Sequence, residues 1–155
     1  MPPQPPTLHH VRFQSPTRSP RGHFPGIFAL ANGLARDGRL TPEQWRFWRT
    51  NNDWYDGAYP DPTKVDPTVY DHAVNPGAVA WFKSTADELL ARVPGYLDLL
   101  SAHDVACVRL RSAVVPGRVV YEDTTQVVVV PPPARAVSGP CRGRRRPARA
   151  VSRPR

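Results

Sequence analysis

Residues 41–60, TPEQWRFWRTNNDWYDGAYP, form the most sharply bounded element of this chain. Thr41 can cap a helix, Pro42 suits the first helical position, and Gln44 completes a T-x-x-Q capping box. Gly57 and Pro60 then end the helix. Aromatic residues run along it in two stripes, Trp45, Trp48 and Tyr55 in one, and Phe47 and Trp54 in the other. Large aromatic side chains supply most of their surface to a core, so this stretch predicts a helix packed against a small domain.

A second helix precedes this one, and a long loop follows it. The spacing of Ile27, Phe28, Ala31 and Leu34 is that of one helix face, and Asp37-Gly38 supplies a stop. Residues 60–76 contain four prolines, three of them preceded by Asp or Asn, which predicts turns instead of a helix or strand. Irregular loops of this length are uncommon in compact domains and are often functional.

The sequence beyond the loop changes from strand to helix character. GAVAWFKS at 77–84 is typical of a short buried strand or of the start of a helix. Ser84, with Asp87 three residues later, indicates a capped helix over TADELLARV. A second amphipathic stretch, YLDLLSAH, follows Pro94-Gly95. The region therefore predicts two short helices or one bent helix.

The last third of the domain has the period of strands. VACVRLRS at 105–112 alternates, GRVVYED at 117–123 follows, and QVVVV at 126–130 is an uninterrupted apolar run of a strand covered on both faces. VVPG at 114–117 and DTT at 123–125 are the expected hairpin turns. The predicted fold class is α+β: short N-terminal helices, the Pro/Asp loop, one or two helices, then a three-stranded antiparallel sheet.

Charge and proline divide the chain into three segments. Residues 1–20 hold two Arg and no acid, residues 21–131 hold 11 Lys/Arg against 13 Asp/Glu, and residues 132–155 hold eight Arg and no acid. Both end segments are rich in proline and lack a periodic apolar pattern. We therefore expect disorder at 1–20 and 132–155 and a single domain at 21–131. The tail contains an internal repeat, PARAVSGP at 133–140 and PARAVSRP at 147–154.

Several features bear on location and cofactors. No apolar stretch is long enough to span a membrane, and the N-terminus lacks the apolar segment of a secretory signal, which predicts a cytoplasmic protein without a membrane partner. Cys107 and Cys141 lie in segments of different character, so free thiols are expected. The acids of residues 53–71 match neither a calcium loop nor an H-E-x-x-H zinc motif, and no cofactor is predicted.

The leading functional hypothesis is a non-enzymatic binding or protein-interaction module. Its contact surface would lie where the helix of residues 41–58 ends and the Pro/Asp loop begins, with a protein partner docking over residues 51–76. Aromatic rings beside carboxylates and amides can stack on a ligand and hydrogen-bond its edges. The candidate binding residues are Asn51, Asn52, Trp54, Tyr55, Tyr59, Asp61, Asp71, His72 and Glu122.

Two other classes of function compete with this hypothesis. A small enzyme could use the carboxylates of residues 53–71 with Glu122 or Asp123, with or without a metal ion. Convergence of these acids with His72 or His103 in one cleft would favour it. The arginine-rich tail could instead bind nucleic acid or another polyanion without sequence specificity, although no aromatic residue lies between its arginines to stack on bases.

Two parts of the sequence resemble known families. The runs FALANGLARDGRLTPEQWRFWRTNNDWYDGAYPDP, NPGAVAWFK and PGRVVYEDTTQVVVVP resemble a group of small uncharacterised proteins of high-GC actinobacteria, over about residues 24–131. That resemblance implies no activity, cofactor or catalytic residue. QVVVVPPP also resembles the E-V-L-x-P strand that carries the catalytic glutamate of ADP-ribosyltransferases. Gln126 stands in place of that glutamate, and no arginine and serine-threonine-serine pattern precedes it.

Overall fold

The computed structural model describes residues 7–132, and within them the chain is α+β, as the sequence predicts. Helices and strands are separated along the chain only in part, because one strand precedes the first helix and another lies between the second and third helices. In chain order the elements are β1 (His10–Gln14), α1 (Ile27–Arg36), α2 (Pro42–Ala58), a 3₁₀ turn (Pro62–Lys64), β2 (Val79–Lys83), α3 (Asp87–Ala91), α4 (Val93–Ala102), β3 (Val108–Ser112), β4 (Arg118–Glu122) and β5 (Gln126–Val130).

The sheet has five antiparallel strands in the order β3-β1-β2-β5-β4, where the sequence predicted three. All three predicted strands exist, and β4 and β5 are neighbours across the predicted DTT turn. The expected VVPG hairpin is wrong, because β3 and β4 lie at opposite edges of the sheet. Alternation shows that a segment is a strand, but it does not show which strand lies beside it.

β1 lies within the N-terminal segment that the composition marked as disordered. Val11 and Phe13 are buried in the core, 2% and 9% exposed, and all five residues of β1 pair with β3. His10 and Val11 also pair with β2 on the other side. Pairing on both edges and burial of two apolar side chains offset the entropy lost on ordering, although proline surrounds the strand. The arginine-rich tail from residue 133 lies outside the described residues.

The apolar core forms where α1, α2 and α4 pack together and against the sheet. Ile27, Ala31 and Leu34 are the buried face of α1, as their spacing predicts. Tyr96 of α4 is fully buried, and its ring meets the edges of Phe28, Phe47 and Tyr55 at centroid distances of 5.3, 5.4 and 5.8 Å. Trp45 is the exception among the predicted core aromatics of α2, since it is 48% exposed.

The start of α2 follows the sequence closely. Thr41 Oγ1 accepts a hydrogen bond from the Gln44 backbone N–H at 3.1 Å, and Gln44 Oε1 accepts one from the Thr41 N–H at 2.9 Å. Gln44 Oε1 also lies 2.9 Å from His103 Nε2, so the cap joins α2 to the end of α4. The capping box is confirmed.

In residues 84–95, one helix cap predicted from the sequence is wrong. Ser84 does not cap α3; its Oγ accepts a hydrogen bond from the His9 N–H at 3.1 Å. Ala86 is the residue that precedes α3, and it makes no side-chain cap. α3 ends at Ala91 and α4 begins at Val93, which gives the two short helices expected around Pro94-Gly95.

The capping box yields a stability prediction. Thr41→Ala removes the acceptor of the Gln44 N–H, and we expect the free energy of unfolding in urea to fall by about 1 kcal/mol. Thr50→Ala is the matched control, because Thr50 is an exposed interior residue of the same helix. That control should change stability by less than ~0.5 kcal/mol. Equal effects of the two variants would contradict the role of the cap.

Two helical glycines predict opposite effects of the same substitution. A Cβ on Gly95 would lie 2.5 and 2.7 Å from Cζ and Cε2 of Phe47, whereas at Gly33 the nearest atom is the flexible end of Arg36 at 3.6 Å. Gly95→Ala should overpack the α2–α4 contact and destabilise the protein by about 1–3 kcal/mol. Gly33→Ala should stabilise it by about 0.4–1 kcal/mol. Urea unfolding of both variants measures this, and a Gly95→Ala protein as stable as wild type would refute the contact.

Candidate functional site

A pocket of about 410 Å³ opens between α1, the C-terminal half of α2, the first half of the Pro/Asp loop and the start of β5. Its size lies within the range of small-molecule sites, about 300–1,000 Å³. The lining divides into three chemical groups. The aromatic residues are Phe28, Tyr55, Tyr59 and Tyr70; the amides are Asn32, Asn52 and Gln126; the charged residues are Asp56, Asp61 and Lys64.

Phe28 contacts two of the three tyrosines that line the aromatic side of the pocket. Its ring lies 4.7 Å from Tyr55 in an edge-to-face arrangement and 6.5 Å from Tyr59. Burial raises the pKa of Tyr55 to about 12 and that of Tyr70 to about 12, and burial also raises the pKa of Tyr59. The three phenols are therefore neutral at physiological pH, and each keeps a hydroxyl donor.

A chain of hydrogen bonds fixes the two asparagines of the pocket. Asn32 Oδ1 accepts from Trp48 Nε1 and from Asn52 Nδ2, both at 3.0 Å. Asn52 Oδ1 in turn accepts from the hydroxyl of Tyr96 at 2.5 Å. These bonds join α1, α2 and α4 directly beneath the pocket, so the orientation of both amides is set by the packing of the helices.

Gln126 is the buried end of the pocket. It is 0% exposed, and its Nε2 donates to Pro60 O at 2.8 Å and to Asp123 Oδ2 at 2.9 Å. Its Oε1 is buried and makes no hydrogen bond with any residue of the described range 7–132. Buried acceptors are nearly always paired, and leaving one without a donor costs about 1–3 kcal/mol. This side chain therefore holds an unused acceptor at a ligand-sized pocket.

Asp123 holds the side chain of Gln126 in position. Its carboxylate accepts hydrogen bonds from the Tyr121 hydroxyl and from the Thr125 N–H and hydroxyl, each at 2.8 Å, and from the Gln126 N–H at 3.1 Å. Burial alone would raise the pKa of Asp123, but the donors from Thr125, Gln126 and Tyr121 outweigh it and hold that pKa below its ordinary value. Asp123, proposed from the sequence as a catalytic acid, thus serves the β4–β5 turn.

The acids of the loop form turns, as Asp before Pro predicts. The Oδ1 atoms of Asp61 and Asp66 each accept the N–H of the residue two positions on, at 2.9 Å, and that of Asp71 does the same at 2.8 Å. Hydrogen bonds from the Thr63 hydroxyl and N–H lower the pKa of Asp61. Asn75 is buried, and its Nδ2 donates to the carbonyls of Thr68 and Val69, which folds the loop onto itself.

The structure brings four of the nine candidate residues into this pocket: Asn52, Tyr55, Tyr59 and Asp61. Asn51 and Trp54 face a neighbouring arginine instead. Asn51 Oδ1 accepts from Arg92 Nη1 at 3.0 Å, and the Arg92 guanidinium lies 3.9 Å from the centre of the Trp54 ring. Asp71, His72 and Glu122 lie outside the pocket lining.

The groups of the enzyme hypothesis do not gather in one cleft. Glu122 on β4 pairs with Lys83 at 3.3 Å, His103 contacts Gln44, and His72 is exposed on the loop. Across residues 7–132, no cluster of three or more His, Cys, Asp or Glu side chains has the arrangement to hold a metal ion. Burial raises the pKa of Cys107, a free thiol that packs against the core, so its reactive thiolate is disfavoured.

The sequence reading did not identify four important lining residues: Phe28, Asn32, Tyr70 and Gln126. Phe28 was assigned to a helix face, and Gln126 was noted only as the replacement for a glutamate. Asn32 follows Ala31 on an otherwise apolar helix, and a Gln that begins a run of four valines is a polar residue inside a buried strand. Both are polar residues in apolar segments, a pattern that marks a buried or functional polar group.

The chain matches no protein-family model, and no curated protein or solved structure is significantly similar to it. Its membership of the actinobacterial group stays a prediction.

Of the helices in residues 7–132, none combines the length and apolar character that crossing a bilayer requires.

The hydrogen bonds to Asp123 predict that the stability of the protein depends on pH. Because the folded state lowers the pKa of Asp123, its contribution to stability is complete above the unfolded pKa of about 3.9 and is lost as pH falls through the lower folded value. The free energy of unfolding of the wild type should therefore decrease below about pH 4. Asp123→Asn should be less stable at pH 7 and show a shallower decrease in urea unfolding.

Asp98→Asn controls for the loss of one negative charge, because Asp98 is exposed on α4. The assignment fails if Asp123→Asn reproduces both the stability and the pH slope of the wild type.

Proposed function

We propose that this domain is a binding module for a small, neutral, planar ligand held in the pocket between α2 and the Pro/Asp loop. The observation that carries the proposal is the fully buried Gln126, a residue of the pocket lining whose Oε1 makes no hydrogen bond within the part of the chain that the structure describes. A ligand donor would satisfy that acceptor. The pocket lies at the junction of residues 51–58 and 59–76, which is also the surface that the sequence favours.

The shape and lining of the pocket support a small molecule. Phe28, Tyr55 and Tyr59 give it an apolar wall, and the amides give a few fixed polar groups, which is the usual construction of ligand sites. Tyr55 is held in place because its ring packs edge-to-face with Phe28 and its hydroxyl donates to Leu89 O at 2.6 Å. A side chain that is already ordered loses little conformational entropy when a ligand binds.

The charged groups at the pocket argue against a highly anionic ligand. Asp56 and Asp61 contribute two carboxylates, and Lys64 contributes one ammonium group. Asp56, Asp61 and Lys64 are all exposed, so they lie at the mouth in solvent. Two carboxylates against one cation repel phosphate, and a neutral ligand avoids that repulsion.

A protein partner on the same surface is the second candidate. The loop exposes Val65 at 73% and Val74 at 53%, and apolar side chains displayed in this way are typical of interaction surfaces when they form a patch. This candidate uses the outer side of the loop, whereas the small-ligand proposal uses the pocket beneath it. The two can therefore be separated by substitution. We also propose a cytoplasmic location, as the sequence predicts.

The ligand proposal is tested by a screen of the full chain against neutral planar heterocycles and aromatic amides at millimolar concentration. Unfolding temperature and ligand-observed NMR are the two measurements. At least one compound should raise the unfolding temperature, because binding only the folded state stabilises it. Tyr70→Ala, which removes one wall, should lower the affinity for that compound by about tenfold.

Val65→Ala is the matched control, because Val65 lies in the same loop but does not line the pocket. It should leave the binding unchanged. The proposal fails if no compound stabilises the wild type, or if Tyr70→Ala and wild type respond equally. Loss of binding in Val65→Ala, with Tyr70→Ala unaffected, would favour the outer surface instead.

A further inference from the structure

We infer that the ligand is an amino-substituted heterocycle, whose exocyclic N–H donates to Gln126 Oε1 while a ring nitrogen accepts from Asn32 Nδ2. This inference rests on the proposed function, since it names the ligand chemistry of the same pocket. It follows from the way in which the structure fixes two amide side chains in opposite orientations.

The amide of Gln126 can be oriented in only one way. The groups on either side of its Nε2 are the Pro60 carbonyl and the Asp123 carboxylate, and neither can donate. Rotating the amide by 180° would set Oε1 against both of these oxygens. Gln126 therefore presents Oε1 as a pure acceptor, and only a donor can satisfy it.

The amide of Asn32 is fixed in the reverse sense. Its Oδ1 receives two N–H donors, from the Trp48 indole and from the Asn52 amide, so rotation would set Nδ2 against two donors. Asn32 is exposed, and its Nδ2 makes no hydrogen bond with the residues that the structure describes. Asn32 therefore presents a donor at the pocket, and a ligand acceptor is the group that it fits.

Together the two amides define a donor and an acceptor on one ligand. The edge-to-face aromatic rings beside them favour a flat ring system, and the two carboxylates at the mouth disfavour a phosphorylated ligand. An amino group adjacent to a ring nitrogen, as on the Watson–Crick edge of adenine, offers a donor beside an acceptor on a neutral planar ring. A free base or nucleoside of this type matches all four features of the pocket.

Gln126 Oε1 has almost no accessible surface. A ligand that reaches it must turn lining side chains aside. The recovered hydrogen bond favours that adjustment, because the acceptor is otherwise left unpaired. A ligand of the same shape without the N–H gains nothing from the same movement, so discrimination between the two should be large.

The test compares adenine with 6-methylpurine on the full chain. A methyl group replaces the exocyclic amino group in the second compound, and the ring nitrogens are the same. Isothermal titration should give an affinity for adenine about tenfold or more above that for 6-methylpurine. In NMR, the Gln126 side-chain NH₂ resonances should shift with adenine and move much less with 6-methylpurine.

A protein variant tests the second contact. Asn32→Asp keeps an acceptor for Trp48 and Asn52 and replaces the Nδ2 donor by an oxygen, so adenine affinity should fall by about tenfold. Asn51→Asp is the control, because Asn51 lies on the same helix as Asn52 but outside the lining. That control should bind adenine as the wild type does, and circular dichroism should show that both variants are folded.

Equal affinities for adenine and 6-methylpurine, or no binding of adenine, would overturn this inference. If other planar compounds still bind and Tyr70→Ala still weakens them, the pocket is a ligand site and only the chemistry assigned to its two amides is wrong. If no compound in the screen binds, the proposed function fails together with it.

Discussion

The hydrogen bond between the Tyr96 hydroxyl and Asn52 Oδ1 is the interaction around which the helical half of this protein is arranged. Tyr96 is completely buried, so its hydroxyl needs a partner, and α2 supplies one at the point where α1 also arrives. The side-chain amide of Asn52 in turn donates a hydrogen bond to Asn32 Oδ1. Three helices are thereby joined by one polar chain, which runs from the buried Tyr96 to the exposed Asn32, and both asparagines of that chain line the pocket.

The sheet places the other half of the pocket. β5 lies between β2 and β4, and four of its five residues, Gln126–Val129, are buried. The polar side chain that begins this strand therefore lies in the interior. Asp123 and Pro60 hold the amide of Gln126 from two different segments. The pocket therefore depends on the meeting of the Pro/Asp loop with the β4–β5 turn, and neither segment forms it alone.

Much of the local structure could be predicted from the sequence, and the reasons are local. The capping box of α2, the buried face of α1 and the Asp–Pro turns all depend on residues within seven positions of one another. β1 was missed because prolines on both sides resemble disorder, and its stability comes from two neighbours that lie far away along the chain. Ser84 was assigned as a cap for a similar reason, since its partner is the distant His9. Of the candidate site, Asn52, Tyr55, Tyr59 and Asp61 were identified, because they surround the helix end; Gln126 and Asn32 approach from other elements.

The sequence by itself determined the α+β class and most of the element boundaries. These properties follow from short-range rules of capping, periodicity and turn chemistry, which act within a few residues. Only the tertiary structure decided the order of the strands and the orientation of the amides of Asn32 and Gln126. An amide turns its oxygen or its nitrogen outward according to the groups packed behind it. Here most of those groups come from residues 16 to 66 positions away, with Asp123, three positions before Gln126, as the local exception.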